Sequence, residues 1–307
     1  MEITYKGQDI TDMVAVRTCI MRDTCGLRCD SLELNFENAA GWYKWGPEED
    51  DEIVVTHDGY TTGTMYLYTV TPEDGRYRII ATSRPAKARG KSTKSFEKKT
   101  LSNILQTCAA DSGMGSQLHG VNGGATIPYI IRNGNEECAA FLAKLLMFEG
   151  AVLKCVNGKY SAIGITYAQG LDARVTLEIE SPQKWIGYER VGDTYKSVSI
   201  KTPYAEGSAT DSAVKSSFKK LTFGGELPVK DAGQASRWAK GILLNKNRKS
   251  ELVTILDEFN PRYTAMGRVD IEGDTDASGE WLVEEVEHDL ISLESTVKLH
   301  RCVTTVS

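Results

Sequence analysis

Ser31-Leu-Glu-Leu-Asn-Phe36 alternates polar and apolar residues with a period of two, the pattern of a strand with one face in a core and one in water. Outward from it the same rhythm repeats. Ile53-Val-Val-Thr56 is followed by the turn Asp58-Gly59, and Thr64-Met-Tyr-Leu-Tyr-Thr-Val70 is a further strand. Asp74-Gly75, a hairpin dipeptide, leads into Tyr77-Arg-Ile-Ile-Ala81. Short strands at this spacing, without a long helical pattern, predict a small antiparallel barrel or sandwich over residues 1–90.

Beyond Arg84-Pro85 come Lys87, Arg89, Lys91, Lys94, Lys98 and Lys99 with few large apolar residues, which reads as a solvated linker or loop. A helix follows. Thr100 is its N-cap, Leu101, Ile104, Leu105, Cys108 and Ala109 share one face, and Gly113 stops it. A second helix from near Asn135 to Gly150 carries Phe141, Leu142, Leu145 and Leu146 on one face. Ala151–Val156, the turn Asn157-Gly158 and Tyr160–Ile165 form a hairpin, so residues 91–165 read as an inserted α+β module.

Residues 166–230 return to strands at Ala173–Ile179 and Tyr195–Lys201, a β-rich connecting segment. In residues 231–307 a leading helix over about Gly233–Asn245, with Asp231 near its start, buries Ala235, Trp238, Ala239, Ile242 and Leu243. Strands at Glu251–Leu256, Gly267–Glu272, Trp281–Val286 and Thr296–His300 then make a C-terminal barrel. The fold class expected is β-rich α+β, with two small antiparallel β-barrel domains and the α+β module between them.

The chain has 307 residues with 36 Lys+Arg against 42 Asp+Glu, a net charge of −6. At about 100–200 residues per domain this length suggests two or three domains. With 41% hydrophobic and 25% charged residues it can bury real cores, and its acidity argues against a coat for nucleic acid or anionic membrane. The polar start lacks the apolar core of a secretory signal, and Cys138–Phe148 is too short to span a bilayer, so synthesis in a reducing cytoplasm without membrane insertion is expected.

Chemistry-bearing residues are scattered. Cys19, Cys25 and Cys29 could gather around zinc with His300 and Cys302, but the spacing is not paired and buried reduced thiols are the default among the seven cysteines. His57, His119 and His288 complete the histidines, any of which could serve a nucleophilic pair. Gly113-Met-Gly115 and Gly123-Gly124 do not stand between a strand and a helix as a phosphate cradle requires. Glu48–Glu52 and Glu284-Glu285 could supply the two carboxylates of a glycosidase, although contiguous surface charge is the commoner meaning. The basic run Arg84–Lys99 contains only Phe96 for stacking, which favours a solvated linker, or a loop facing an acidic partner surface, over nucleic-acid binding. Trp42, Trp45, Trp185, Trp238 and Trp281 are dispersed, as core or interface anchors are. No catalytic, cofactor-binding or metal residue is assigned, and no cofactor is expected.

The order of segments resembles the late control protein D family, the baseplate hub proteins of contractile phage tails and tailocins. The resemblance runs through Leu32–Phe36, Trp42-Tyr-Lys-Trp-Gly-Pro47, Asp51–Val55, Lys99–Leu105 with Ala110-Asp-Ser-Gly113, and Ala235–Lys240. Its most specific part is the helix Glu136–Gly150 ending in Glu-Gly, followed by Lys154-Cys-Val-Asn-Gly158-Lys159, and the last section offers Gly267 and Gly279–His288. The resemblance implies a non-enzymatic hub that joins the tail tube to the central spike. It would work as a homotrimer in a virion or tailocin baseplate, against a tube or tube-initiator protein, a spike and wedge proteins, and without nucleic acid or membrane. The alternative is a tail-associated cell-wall hydrolase or carbohydrate-binding module.

Overall fold

In the computed structural model, which describes residues 1–37, 46–73, 75–179, 185–273 and 275–307, the N-terminal alternation becomes eight strands. They are β1 (Glu2–Tyr5), β2 (Gln8–Asp9), β3 (Ala15–Thr24), β4 (Ser31–Glu37), β5 (Glu52–His57), β6 (Tyr60–Thr61), β7 (Met65–Glu73) and β8 (Arg76–Thr82). Leu32, Leu34 and Phe36 of β4 enter a core with Ile3, Val55, Leu67 and Ile79, as their spacing requires. Asp58 and Gly59 take φ of 46° and 78°, a two-residue turn whose hand matches strand twist. Trp42, Trp45 and Asp74 lie outside the described residues.

The middle of the chain forms β9 (Lys94–Thr100), α1 (Leu101–Asp111), β10 (Gly115–His119), β11 (Thr126–Arg132), α2 (Cys138–Phe148), β12 (Ala151–Val156), β13 (Lys159–Gly164) and α3 (Ile165–Gln169). The Thr100 hydroxyl accepts the Asn103 N–H at 3.2 Å, which caps α1, and Gly113 leaves the helix at φ 69°. Asn157 and Gly158 make the β12–β13 turn with positive φ at both positions.

The expectation of a solvated linker over Arg84–Lys99 is corrected. Ala86–Arg89 is a short 3-10 turn, and Lys94–Thr100 is a strand paired antiparallel with β11. Only Phe96 of this strand is buried, stacked on Phe141 at 5.7 Å, so its period-two signal shrinks to one residue among exposed charges. Pro128 has no N–H to give, and Lys98 beside it takes φ 49°; pairing passes from Ile127↔Lys99 to Tyr129↔Glu97 around both. Helix α2 begins at Cys138 rather than near Asn135, because a turn from Asn133 to Glu136 and a bridge from Glu137 to Lys91 occupy the preceding residues.

The remaining elements are β14 (Val175–Glu178), β15 (Trp185–Arg190), β16 (Tyr195–Lys201), β17 (Glu206–Thr210), β18 (Lys219–Phe223), α4 (Ala232–Asn247), β19 (Glu251–Glu258), β20 (Arg268–Glu272), β21 (Gly279–Asp289) and β22 (Glu294–Arg301). Asp231 caps α4 by accepting the Gln234 N–H at 2.7 Å. The fold is β-rich α+β, with 48% of the described residues in strands and 18% in helices. Among the described residues no helix is long and apolar enough to cross a membrane.

Fourteen strands form one hydrogen-bonded network, ordered β15-β19-β22-β21-β3-β4-β8-β7-β5-β1-β2 with β14, β20 and β6 to the side. The two ends of the chain therefore share a sheet. β21 makes the join: its start pairs with β20, its end runs antiparallel to β3 from Glu285↔Thr24 to Asp289↔Ile20, and β22 accompanies it throughout.

The cores do not follow chain order. β14, β19, β20, β21 and β22 surround Val175, Leu177, Ile255, Trp281 and Val297. β16 and β17 instead send Val198, Ile200 and Ala209 into the core of α1, α2 and α4. A small seam of Cys25, Val152, Ile165, Leu244, Met266 and Leu282 lies where these units meet. α4 approaches the end of α2 so closely that a Cβ on Gly241 would stand 2.0 Å from the Phe148 carbonyl oxygen.

Candidate functional site

Around that seam, charged residues from all three parts of the chain converge. Lys154 sits in β12, whose Ala151-Val-Leu-Lys-Cys stretch is buried throughout. Its ammonium pairs with Asp23 at the end of β3 and with Asp30, and donates to the Thr24 carbonyl at 3.1 Å. Asp30 also accepts the Thr24 N–H at 2.9 Å, and Asp23 accepts the Ala265 N–H at 3.2 Å from the C-terminal unit. Burial opposes the ammonium, but the two carboxylates outweigh it and hold the Lys154 pKa above its ordinary value. Burial, with Asp23 adding its charge, raises Asp30, since two carboxylates share one cation.

A second line of charge runs along β21, where a bulge at Glu284 lets successive carboxylates reach different elements. Glu284 meets Arg248 at 2.7 Å and lies 3.6 Å from His300. Glu285 meets Arg28 at 3.2 Å and Lys298 at 2.7 Å, and Glu287 meets Arg22 of β3 at 2.7 Å. Burial disfavours charge on Glu284, but Arg248, His300 and Lys249 prevail and lower its pKa. Beside this line a depression of about 270 Å³ is lined by Cys25, Leu27, Met147, Val152, Arg248 and Glu284, with Leu27 71% exposed at its rim.

The other candidate residues disperse. Cys19 lies in the N-terminal core, Cys25 in the seam and Cys29 against the helical core, and all seven cysteines are free. Among the described residues no group of three His, Cys, Asp or Glu could hold a metal ion. His288 is fully buried, with ring nitrogens 2.8 Å from the Ser295 hydroxyl and 3.1 Å from the Tyr263 carbonyl, and edge-on to Tyr60 at 5.0 Å. Burial lowers its pKa. His57 packs 5.7 Å from Phe259 across the same junction, while His119 ends β10. Gly115 belongs to β10, and Gly123 gives its carbonyl to the first turn of α1. Trp238 and Trp281 are fully buried, and Trp185 starts β15.

The acidic run and the basic run meet each other. Asp50 accepts the Ala86 N–H at 2.5 Å, Glu49 pairs with Arg89 at 2.5 Å, and Asp51 pairs with Lys6 at 2.8 Å. Arg84 pairs with Glu137 and Lys94 with Asp111, so these cations of the basic stretch meet carboxylates of this chain rather than the partner surface expected. Sequence reading missed Lys154, Asp23 and Asp30. The available signal was a lone lysine inside an otherwise apolar strand, which demands buried partners.

Neither a family model nor a curated protein matches the chain in sequence. Solved structures do match in shape. The tail protein from Neisseria meningitidis MC58 superposes with a TM-score of 0.75 at 10% identity, over 98% of this chain and 95% of that one. The 43 kDa tail protein of prophage MuSo2 from Shewanella oneidensis gives 0.72 at 15% identity, over 98% and 97%. The chain shares the fold of these two proteins. The E. coli c3393 protein, a type VI secretion component described as structurally similar to the T4 tail proteins gp27 and gp5, shares this fold with a TM-score of 0.63 at 11% identity, over 97% of this chain and 76% of that one.

Proposed function

We propose that this chain is a structural baseplate hub of a contractile phage tail or tailocin, a trimer that joins the tail tube to the central spike and contacts wedge proteins. The observation that carries the reading is end-to-end agreement of fold with phage tail proteins, 98% of this chain against 97% of the Shewanella prophage protein. The likeness to a type VI secretion component described as similar to gp27 and gp5 supports the hub position, and the segment order of the late control protein D family agrees with it.

The physical logic is one of shared edges. Each chain carries two β-rich units joined through β3 and β21, so three copies present six such units to a sixfold tube above a threefold spike. Among the described residues β15 and β2 end the sheet path, and ring formation would cover such edges. The buried charges at the unit junction hold the two β units as a pair, which a hub under contraction needs.

A cryo-EM map of the assembled particle tests this. Three copies between tube and spike are expected, with the two β units superposing on one another. Another copy number, or a position on the fibres, overturns the reading. Clearing of cell-wall preparations that vanishes in Glu284→Gln would favour the hydrolase.

A further inference from the structure

We propose that Cys108 and Cys138 form a redox-active dithiol, held ready by Arg132, that closes to a disulfide when the protein meets a peroxide. Cys108 lies on the buried face of α1 and Cys138 is the first residue of α2. Both sulfurs lie against one and the same nitrogen of Arg132, which brings the two thiols together. Arg132, at the end of β11 and only 1% exposed, drives its guanidinium between the helices; one Nη contacts Cys138 Sγ and lies 3.7 Å from Cys108 Sγ. Its other nitrogens are fixed by the Ser92 hydroxyl at 2.6 Å, the Ser92 carbonyl at 3.0 Å and Asp111 at 3.1 Å.

Charge counting explains the arrangement. Arg132 and Lys94 both lean on the single carboxylate of Asp111, and Arg132 is the buried one of the two cations. A thiolate on Cys138 balances it, and the N-terminal end of α2 favours the same negative charge. The neighbouring Cys108 thiol, with Arg132 behind it, lowers the Cys138 pKa, while Cys108 rises. Burial pushes Cys19, Cys25, Cys155 and Cys302 upward, which disfavours their thiolates. A surface depression lined by Asn133, Asn135, Glu136, Glu137 and Ala140 brings solvent to the first turn of α2, and a peroxide is small enough to enter there.

The chemistry balances. The Cys138 thiolate attacks one oxygen of hydrogen peroxide, the S–O bond forms, the O–O bond breaks, and hydroxide leaves and takes a proton from solvent. Cys108 sulfur then attacks the sulfenic sulfur; the S–S bond forms, the S–O bond breaks, and the departing hydroxide leaves as water with the Cys108 proton. Two thiols lose two electrons and one peroxide becomes two waters. The product ties α1 to α2 covalently within the helical core.

The full chain treated with a small excess of hydrogen peroxide, then denatured and titrated for thiols, is expected to fall from seven free cysteines to five. Peptide mass mapping is expected to join the Cys108 and Cys138 peptides, and dithiothreitol to restore seven. In Arg132→Lys the rate of thiol loss is expected to drop and its pH midpoint to rise, a change that lost packing alone would not produce. Cys138→Ser is expected to keep its remaining six thiols. Seven thiols persisting in the natural chain, or a disulfide joining any other two cysteines instead, overturns the proposal, and neither result depends on a variant folding.

Discussion

Glu149 accepts the indole N–H of Trp238 at 2.7 Å, although 89 residues separate them. Arg237 grips the same carboxylate with two nitrogens at 2.8 and 3.2 Å, and the Glu149 side chain is 3% exposed. Glu149 ends α2, and Trp238 stacks on Phe148 at 4.7 Å, so this carboxylate fixes α4 against α2. Glu149→Ala leaves a guanidinium and an indole N–H without their acceptor and is expected to cost about 3 kcal/mol. Glu149→Gln keeps one acceptor and is expected to cost about 1–2 kcal/mol. Urea unfolding of both variants checks the order; equal losses would contradict it.

Trp281 is enclosed in the C-terminal core, donates to the Ala277 carbonyl at 2.9 Å and has the Arg301 guanidinium 4.7 Å over its ring. Trp281→Ala is expected to destabilise by about 3–5 kcal/mol through the cavity it opens. An unchanged melting temperature would rule out the packing role.

Lys154 neutralises Asp23 and Asp30, both buried. Lys154→Met strands two carboxylates and is expected to cost about 3–5 kcal/mol at neutral pH. Because burial already raises the Asp30 pKa to about 7, the loss should shrink in mild acid. A loss independent of pH would contradict the charge argument.

His300 supplies a pH dependence of opposite sign. Burial lowers its pKa from 6.5 to about 4, with Arg248 and Lys249 pushing the same way and Glu284 opposing. Between these values the unfolded chain binds the proton and the folded chain does not, so stability rises with pH across the window. The contribution is complete above about pH 6.5 and lost as pH falls towards 4, about 3 kcal/mol in all. His300→Gln is expected to flatten this part of the profile, read by urea unfolding at several pH values; parallel profiles for the two proteins would refute it.

Where structure is set by neighbours in sequence, it was legible. Thr100 with the apolar face from Leu101 to Ala109 defined α1, Asn157-Gly158 defined its hairpin, and Asp231 marked the start of α4. Partnership across the chain was not. β11 contains Pro128 and β9 contains three lysines, and both are strands because each pairs with the other. Gly241 looks like a weak point inside a helix, yet only glycine lets Phe148 approach there. The assignment of Val198 and Ile200 to the helical core, and the meeting of Cys108 with Cys138, depend on packing that no local pattern encodes.

The pairing of β3 with β21 has a consequence for the order in which the molecule can be made. β3 leaves the ribosome long before the strand that covers its open side, with Met21 and His288 paired directly. Throughout translation the N-terminal sheet must wait with one edge bare, a state prone to pairing with another nascent chain. Products that stop short of Gly279 keep that edge permanently, so chains truncated there are the ones expected to clump.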